Sequence, residues 1–129
     1  MTQNVIEVFN AYNKALSEGD FPAVFATMAD DIKWHQPGNN TLSGEIIGKE
    51  RLGQHLGAFA ERSNGTFKIR TNWVSSNDCF VAVNVTFLAQ KKSADLNMDG
   101  FDLFKIEAGK IKEVWLFSAE QQVEDDFWG

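Results

Sequence analysis

The chain has 129 residues, a length that typically forms one domain, and 43% of them are hydrophobic, enough for a core without disulfides. Acidic residues exceed basic ones, giving a net charge of −6 that argues against nucleic acid or an anionic membrane surface as a partner. The single cysteine excludes an internal disulfide, and no apolar run approaches the roughly 18 residues of a membrane span, so we expect a cytoplasmic protein.

The first half of the chain has the apolar spacing of helices. It predicts an amphipathic helix over residues 3–18, not a signal peptide, and a second short helix that Asp20 caps. Residues 32–36 have the pattern of a strand, which a Pro-Gly-Asn-Asn turn ends, and residues 49–62 have the pattern of a third helix. The apolar stripe of the first helix consists of Val5, Phe9, Tyr12 and Leu16.

From residue 66 the apolar pattern changes to a period of two. Four consecutive strands are predicted, over residues 66–75, 79–90, 95–107 and 110–119. They are joined by short connections at 76–78, 91–94 and 108–109, and a short helix over 120–128 ends the chain. Helices followed by an antiparallel meander predict an α+β fold, a cone-shaped barrel whose curved sheet wraps around the N-terminal helices and an apolar pocket.

Four segments carry a resemblance to a known family. They are Ala-Leu-Ser-Glu-Gly-Asp-Phe (15–21), Met-Ala-Asp-Asp-Ile-Lys-Trp-His-Gln-Pro-Gly (28–38), Ser-Gly-Glu-Ile-Ile-Gly-Lys-Glu (43–50) and Asp-Leu-Phe-Lys-Ile-Glu-Ala-Gly-Lys-Ile-Lys-Glu-Val-Trp (102–115). In this order they resemble the SnoaL-like and ketosteroid-isomerase-like branch of the nuclear transport factor 2-like superfamily. The resemblance implies one domain over residues 1–129. The superfamily holds isomerases, cyclases, dehydratases, hydrolases and non-catalytic binding domains.

The resemblance also implies candidate catalytic residues. Tyr12 and Asp102 match the two oxyanion-hole residues of ketosteroid isomerase. The general base of that enzyme is an aspartate where this chain has Gln36, and glutamine cannot accept a proton at neutral pH. SnoaL-type polyketide cyclases place an acid near the end of the last strand, whereas the first acid after Trp115 here is Glu120.

The strand pattern independently places Asp102 on the apolar face, because it shares parity with Phe104. Burial there would raise its pKa, and a protonated carboxyl can donate a hydrogen bond to an oxyanion. Alternatively, a bulge around Gly100 turns the side chain outward. For Tyr12, the alternative to a ligand donor is a core tyrosine whose hydroxyl a carbonyl satisfies.

The first strand offers two further candidates. Gln36 shares its face with Trp34 and should point inward, where it could orient a substrate or a water, although it could equally be a polar edge residue. His35 should point to the opposite side, unless Pro37 turns it into the pocket as the missing base. His55, beside the stripe of the third helix, is interpreted as structural.

The remaining predictions concern the pocket wall and partners. The candidate substrate-binding residues are Trp34, Phe59, Asn84, Phe104 and Trp115. We expect no metal and no cofactor, because the histidines and the cysteine lack ligand spacing. Both faces of residues 80–89 are largely apolar, which predicts a homodimer. The favoured function is an isomerase-, cyclase- or dehydratase-type enzyme acting on a small apolar carbonyl compound; the alternatives are a non-catalytic binding module and an assembly domain.

Overall fold

The computed structural model describes residues 4–91 and 94–129, in the order expected from the sequence. The helices are α1 (Val5–Ser17), α2 (Phe21–Ala26), α3 (Lys49–Arg62) and α4 (Gln121–Trp128). The strands are β1 (Met28–Gln36), β2 (Gly44–Ile47), β3 (Lys68–Ser76), β4 (Phe80–Lys91), β5 (Ala94–Glu107) and β6 (Lys110–Ser118). Residue 3 of the predicted first helix and residues 92 and 93 of the predicted connection lie outside the described ranges.

Local sequence signals fix the element ends. The Asn4 side chain accepts a hydrogen bond from the backbone N–H of Glu7 at 3.2 Å and caps α1. Asp20 caps α2 in the same way. The β5–β6 hairpin turns at Ala108 and Gly109, both with positive φ, as a two-residue turn of this handedness requires.

The six strands form one curved, open sheet with the order β2-β1-β6-β5-β4-β3. All neighbours are antiparallel except β1 and β6, which are parallel. Strand β1 starts at Met28, four residues before the strand predicted from the sequence, and a register shift between Met28 and Lys33 accompanies the exposed pair Asp30 and Asp31. That irregularity breaks the alternation on which the sequence prediction depended.

The main core lies on the concave face of the sheet. Along β4, the alternate residues Val81, Val83 and Val85 are buried, and α1 packs over them with Phe9 and Tyr12. The predicted α+β class is therefore confirmed. None of the described helices is long and apolar enough to cross a membrane.

Candidate functional site

A cavity of about 660 Å³ lies between the helices and the concave face of the sheet. Most of its wall is apolar, including the rings of Tyr12, Phe21, Trp34, Phe59, Phe67 and Phe87. Three polar side chains of the wall are nevertheless largely buried, those of Gln36, Asp102 and Glu124. Buried polar groups in an apolar wall are the features that orient a small ligand.

Asp102 lies on β5, opposite Val83 of β4 and Leu116 of β6. The pairing stays in register around Gly100, so no bulge turns the carboxyl outward and its side chain points into the concave face. Asp102 is only 5% exposed, and its Oδ1 atom has no hydrogen-bond partner among the described residues. Burial, and then the charge of Glu124, raise its pKa to about 8. Asp102 is therefore mainly protonated at neutral pH, and its hydroxyl can donate.

Tyr12 reaches the cavity from the buried side of α1. Its ring packs edge-on against Phe104, with 5.2 Å between the ring centroids. Burial, and then the charge that Asp102 carries at alkaline pH, raise the pKa of its hydroxyl. The phenol is therefore neutral under physiological conditions and keeps its proton as a donor.

Gln36 is held by two neighbours. The indole Nε1 of Trp34 donates to Gln36 Oε1 at 3.0 Å, and His55 Nε2 lies 3.0 Å from the same oxygen. An indole can only donate, so the atom facing it is the amide oxygen, and His55 must donate to it from Nε2. Burial lowers the pKa of His55 to about 4, which keeps the ring neutral. His55, interpreted as structural from the sequence, thus fixes the orientation of a cavity residue.

Glu124 was not predicted as a site residue. It lies on α4, is 5% exposed, and accepts a hydrogen bond from Gln121 Nε2 at 3.0 Å and another from Ser118. Burial raises its pKa, although both hydrogen bonds oppose that shift. The sequence did hold a signal: Glu124 stands three and four residues before Phe127 and Trp128, so it shares the apolar face of a C-terminal helix.

The turn after β1 holds α4 in place. Asp125 Oδ1 accepts from the backbone N–H of Asn39 at 3.1 Å and from Asn40 Nδ2 at 2.8 Å. Gly38 lies so close to Gln121 and Asp125 that a Cβ atom there would overlap both side chains. These contacts position α4, and therefore Glu124, over the cavity.

His35 does not enter the cavity. Strand β1 keeps its alternation up to Gln36, so Pro37 does not turn the neighbouring side chain inward. On the convex face, His35 Nε2 lies 2.6 Å from Glu113 Oε2 and the imidazole stacks on Trp115, with ring centroids 5.5 Å apart. His35 therefore points away from the cavity, as strand alternation predicts, and the alternative in which Pro37 turns it inward is not adopted; Trp115 lies beside it and not in the cavity wall.

Two other predicted wall residues also lie elsewhere. Phe104 packs beneath the cavity wall against Tyr12 and belongs to the core. Asn84 lies on the convex face, because β4 alternates, and its Nδ2 donates to the carbonyl oxygen of Gly100 at 3.2 Å. Phe59, by contrast, lies in the wall together with Trp34. Within residues 4–91 and 94–129, no group of three or more His, Cys, Asp or Glu side chains is placed to hold a metal ion.

Comparisons with known proteins agree with this architecture. The model of the SnoaL-like domain family matches residues 9–114. The chain is similar to a Xanthomonas campestris protein of unknown function with a cystatin-like fold, at 41% identity over 98% of this chain and 99% of that chain, with a TM-score of 0.93.

Two more distant structures share the fold. Bal32a, from a soil-derived mobile gene cassette, has 21% identity and a TM-score of 0.92, covering 96% of this chain and 95% of its own. TerC, co-crystallised with polyporic acid, has 15% identity and a TM-score of 0.83, covering 95% of each chain. No curated protein matches the sequence. The family match confirms the resemblance drawn from the sequence.

Proposed function

Because the chain belongs to the SnoaL-like family of the nuclear transport factor 2-like superfamily, we propose that it binds a small apolar carbonyl compound and polarises the carbonyl oxygen through Tyr12 and Asp102. The observation that carries the proposal is Asp102, a buried acid that faces an apolar cavity with an Oδ1 atom lacking a partner among the described residues. A site of this kind favours enolisation, aldol-type cyclisation or water elimination.

The two donors suit a reaction in which negative charge develops on oxygen. The Asp102 carboxyl and the Tyr12 phenol are both neutral before the reaction, so neither carries a negative charge that would repel the enolate as it forms. As an enolate forms, each hydrogen bond becomes charge-assisted and stronger in the surrounding apolar wall. The transition state is therefore stabilised more than the bound ketone, which is the condition for catalysis.

Gln36 supplies a third contact in this proposal. Its amide oxygen is taken up by Trp34 and His55. The amide nitrogen is the group left to donate to a ligand oxygen in the cavity. Gln36 thus orients the ligand, and it does not serve as a base.

The experiment uses 2-tetralone, a planar bicyclic ketone, and measures exchange of its α-hydrogens in D₂O by NMR. We expect the wild-type protein to accelerate exchange, and Tyr12→Phe combined with Asp102→Leu to slow it by about 100-fold or more, since one oxyanion donor alone contributes about that factor. Asp99→Leu, on the exposed face of the same strand, is the matched control. Equal exchange rates in the double variant and the wild type would contradict the proposal.

A non-catalytic binding module is the second candidate, and the observation that favours it is the amide at position 36 where the related isomerase has a carboxylate. In that case the cavity holds an apolar molecule without changing it. Native mass spectrometry of the purified protein, followed by extraction, would recover the ligand chemically intact. Turnover of a bound carbonyl compound would rule this candidate out.

We also propose that the protein forms a homodimer through the convex face of the sheet. Trp73, Phe101 and Phe117 are 51%, 44% and 53% exposed there, and the rings of Trp73 and Phe101 contact each other at 5.6 Å between centroids. An exposed aromatic patch of this kind is typical of subunit interfaces. Sedimentation at micromolar concentration tests the dimer: Phe117→Glu should yield monomers, and a monomeric wild type would contradict the proposal.

A further inference from the structure

We propose that the carboxylate of Glu124 accepts the proton that a bound carbonyl compound loses from the carbon next to its carbonyl group. Gln36 occupies the position of the usual base and cannot fill this role. The inference rests on the proposed function and adds the proton acceptor which that function lacks.

The position of Glu124 carries the inference. Glu124 and Asp102 line the same cavity from two elements that pack together, α4 and β5. Each of the two residues is only 5% exposed. Hydrogen bonds from Gln121 and Ser118 hold the Glu124 carboxyl, so its direction is fixed by its surroundings. A fixed carboxylate facing a ligand cavity has the geometry of a general base.

Charge decides which of the two acids keeps a proton. Two carboxyls in one apolar cavity do not both ionise readily, because each disfavours the charge of the other. Hydrogen bonds from Gln121 and Ser118 stabilise the anion of Glu124, whereas Asp102 Oδ1 has no partner among the described residues. The charge of Asp125, also on α4, disfavours the Glu124 anion, but its effect is smaller than that of either hydrogen bond. Asp102 thus keeps its proton and donates a hydrogen bond, whereas Glu124 is the carboxylate that can accept a proton from the ligand.

The step balances without a cofactor or a redox partner. The α-carbon–hydrogen bond breaks, its electron pair moves into the enolate, and the proton passes to a carboxylate oxygen of Glu124. Asp102 and Tyr12 keep their own protons and hold the enolate oxygen by hydrogen bonds. Return of the proton from Glu124 to the α-carbon regenerates the carboxylate; in a ketone with a β,γ double bond the dienolate can instead take the proton at its γ-carbon, which completes an isomerisation.

The test separates proton transfer from ligand binding. Exchange of the α-hydrogens of 2-tetralone reports on the base, and fluorescence titration with 2-naphthol, whose anion resembles an enolate, reports on the two donors. At pH 7 we expect Glu124→Gln to slow exchange by about 100-fold or more, the usual contribution of a general base, while the Kd for 2-naphthol changes less than about threefold. Glu120→Gln, an exposed acid at the start of the same helix, is the matched control and should leave both readouts unchanged.

A second variant guards against a loss that is only structural. In Glu124→Ala, added formate can enter the space of the missing carboxylate, so it should restore part of the exchange rate; a structural role for Glu124 gives no such rescue. Wild-type exchange in Glu124→Gln, or loss without rescue by formate, would overturn this inference and leave the proposed function standing. A wild-type protein that neither binds 2-naphthol nor exchanges 2-tetralone would overturn both.

Discussion

Replacing Asp102 by asparagine should give a stability, relative to the wild type, that increases as the pH rises. Asparagine has nearly the same shape as a protonated aspartic acid but cannot ionise. Wild-type Asp102 has a pKa of about 8 in the folded protein, against an ordinary value of 3.8. Between these two values the folded state keeps a proton that the unfolded state releases, so the free energy of unfolding falls as the pH rises.

The size of the effect follows from that pKa difference. Each pH unit between 3.8 and about 8 removes about 1.4 kcal/mol of wild-type stability, and above about pH 8 the loss is complete. From pH 5 to pH 8 the stability advantage of Asp102→Asn over the wild type should therefore grow by about 4 kcal/mol. Any cost of burying the amide itself is independent of pH and cancels in this comparison.

Urea unfolding followed by tryptophan fluorescence at pH 5 and pH 8 measures the effect. Asp99→Asn places the same substitution on the exposed face of β5 and is the matched control. Glu124→Gln measures how much of the shift comes from the neighbouring charge, the smaller of the two causes. A gain for Asp102→Asn that stays within about 1 kcal/mol between the two pH values would mean that Asp102 is not a buried neutral acid. That result would contradict the proposal that Asp102 donates a hydrogen bond to an oxyanion.

Three other outcomes are expected. Gly100→Ala should destabilise the protein by about 1–3 kcal/mol in urea unfolding, because its Cβ would press on the Phe117 carbonyl oxygen and the Phe87 ring. Gly57→Ala on α3, where a Cβ meets nothing within 4 Å, should instead stabilise by about 0.5–1 kcal/mol in the same assay. Nitrogen-15 NMR should show His55 as the neutral Nε2–H tautomer at pH 7, with protonation only near pH 4; a charged ring at pH 6 would contradict the lowered pKa.

Most of the fold could be predicted from the sequence because its signals are local. Period-two alternation fixed the strands from β3 to β6, and helical spacing with the Asp20 cap fixed α1 and α2. The start of β1 could not be predicted, because Asp30 and Asp31 interrupt the alternation at a register shift. The parallel pairing of β1 with β6 depends on contacts between distant segments, which no local pattern specifies.

The same difference between local patterns and contacts of distant segments explains which site residues could be predicted. Strand parity is a local rule, and it predicted the directions of Gln36 and Asp102. Phe104 shares the parity of Asp102 yet lies beneath the wall, because Tyr12 covers its ring. Parity states which face a side chain is on, but the depth of a cavity depends on what the opposite helix places above it.

Glu124 shows how a site can be completed from an element that sequence patterns describe poorly. The resemblance to isomerases and cyclases implies a base on β1 or an acid near the end of β6. In this chain β1 carries an amide held by Trp34 and His55, and the carboxyl that faces the same cavity comes from α4. A proton acceptor needs only to reach the α-carbon of the ligand, so an acid on a docked C-terminal helix serves as well as one on a strand. If catalysis were assigned from position 36 alone, this chain would be classed as a binding module, and the carboxyl of Glu124 on α4 would be overlooked.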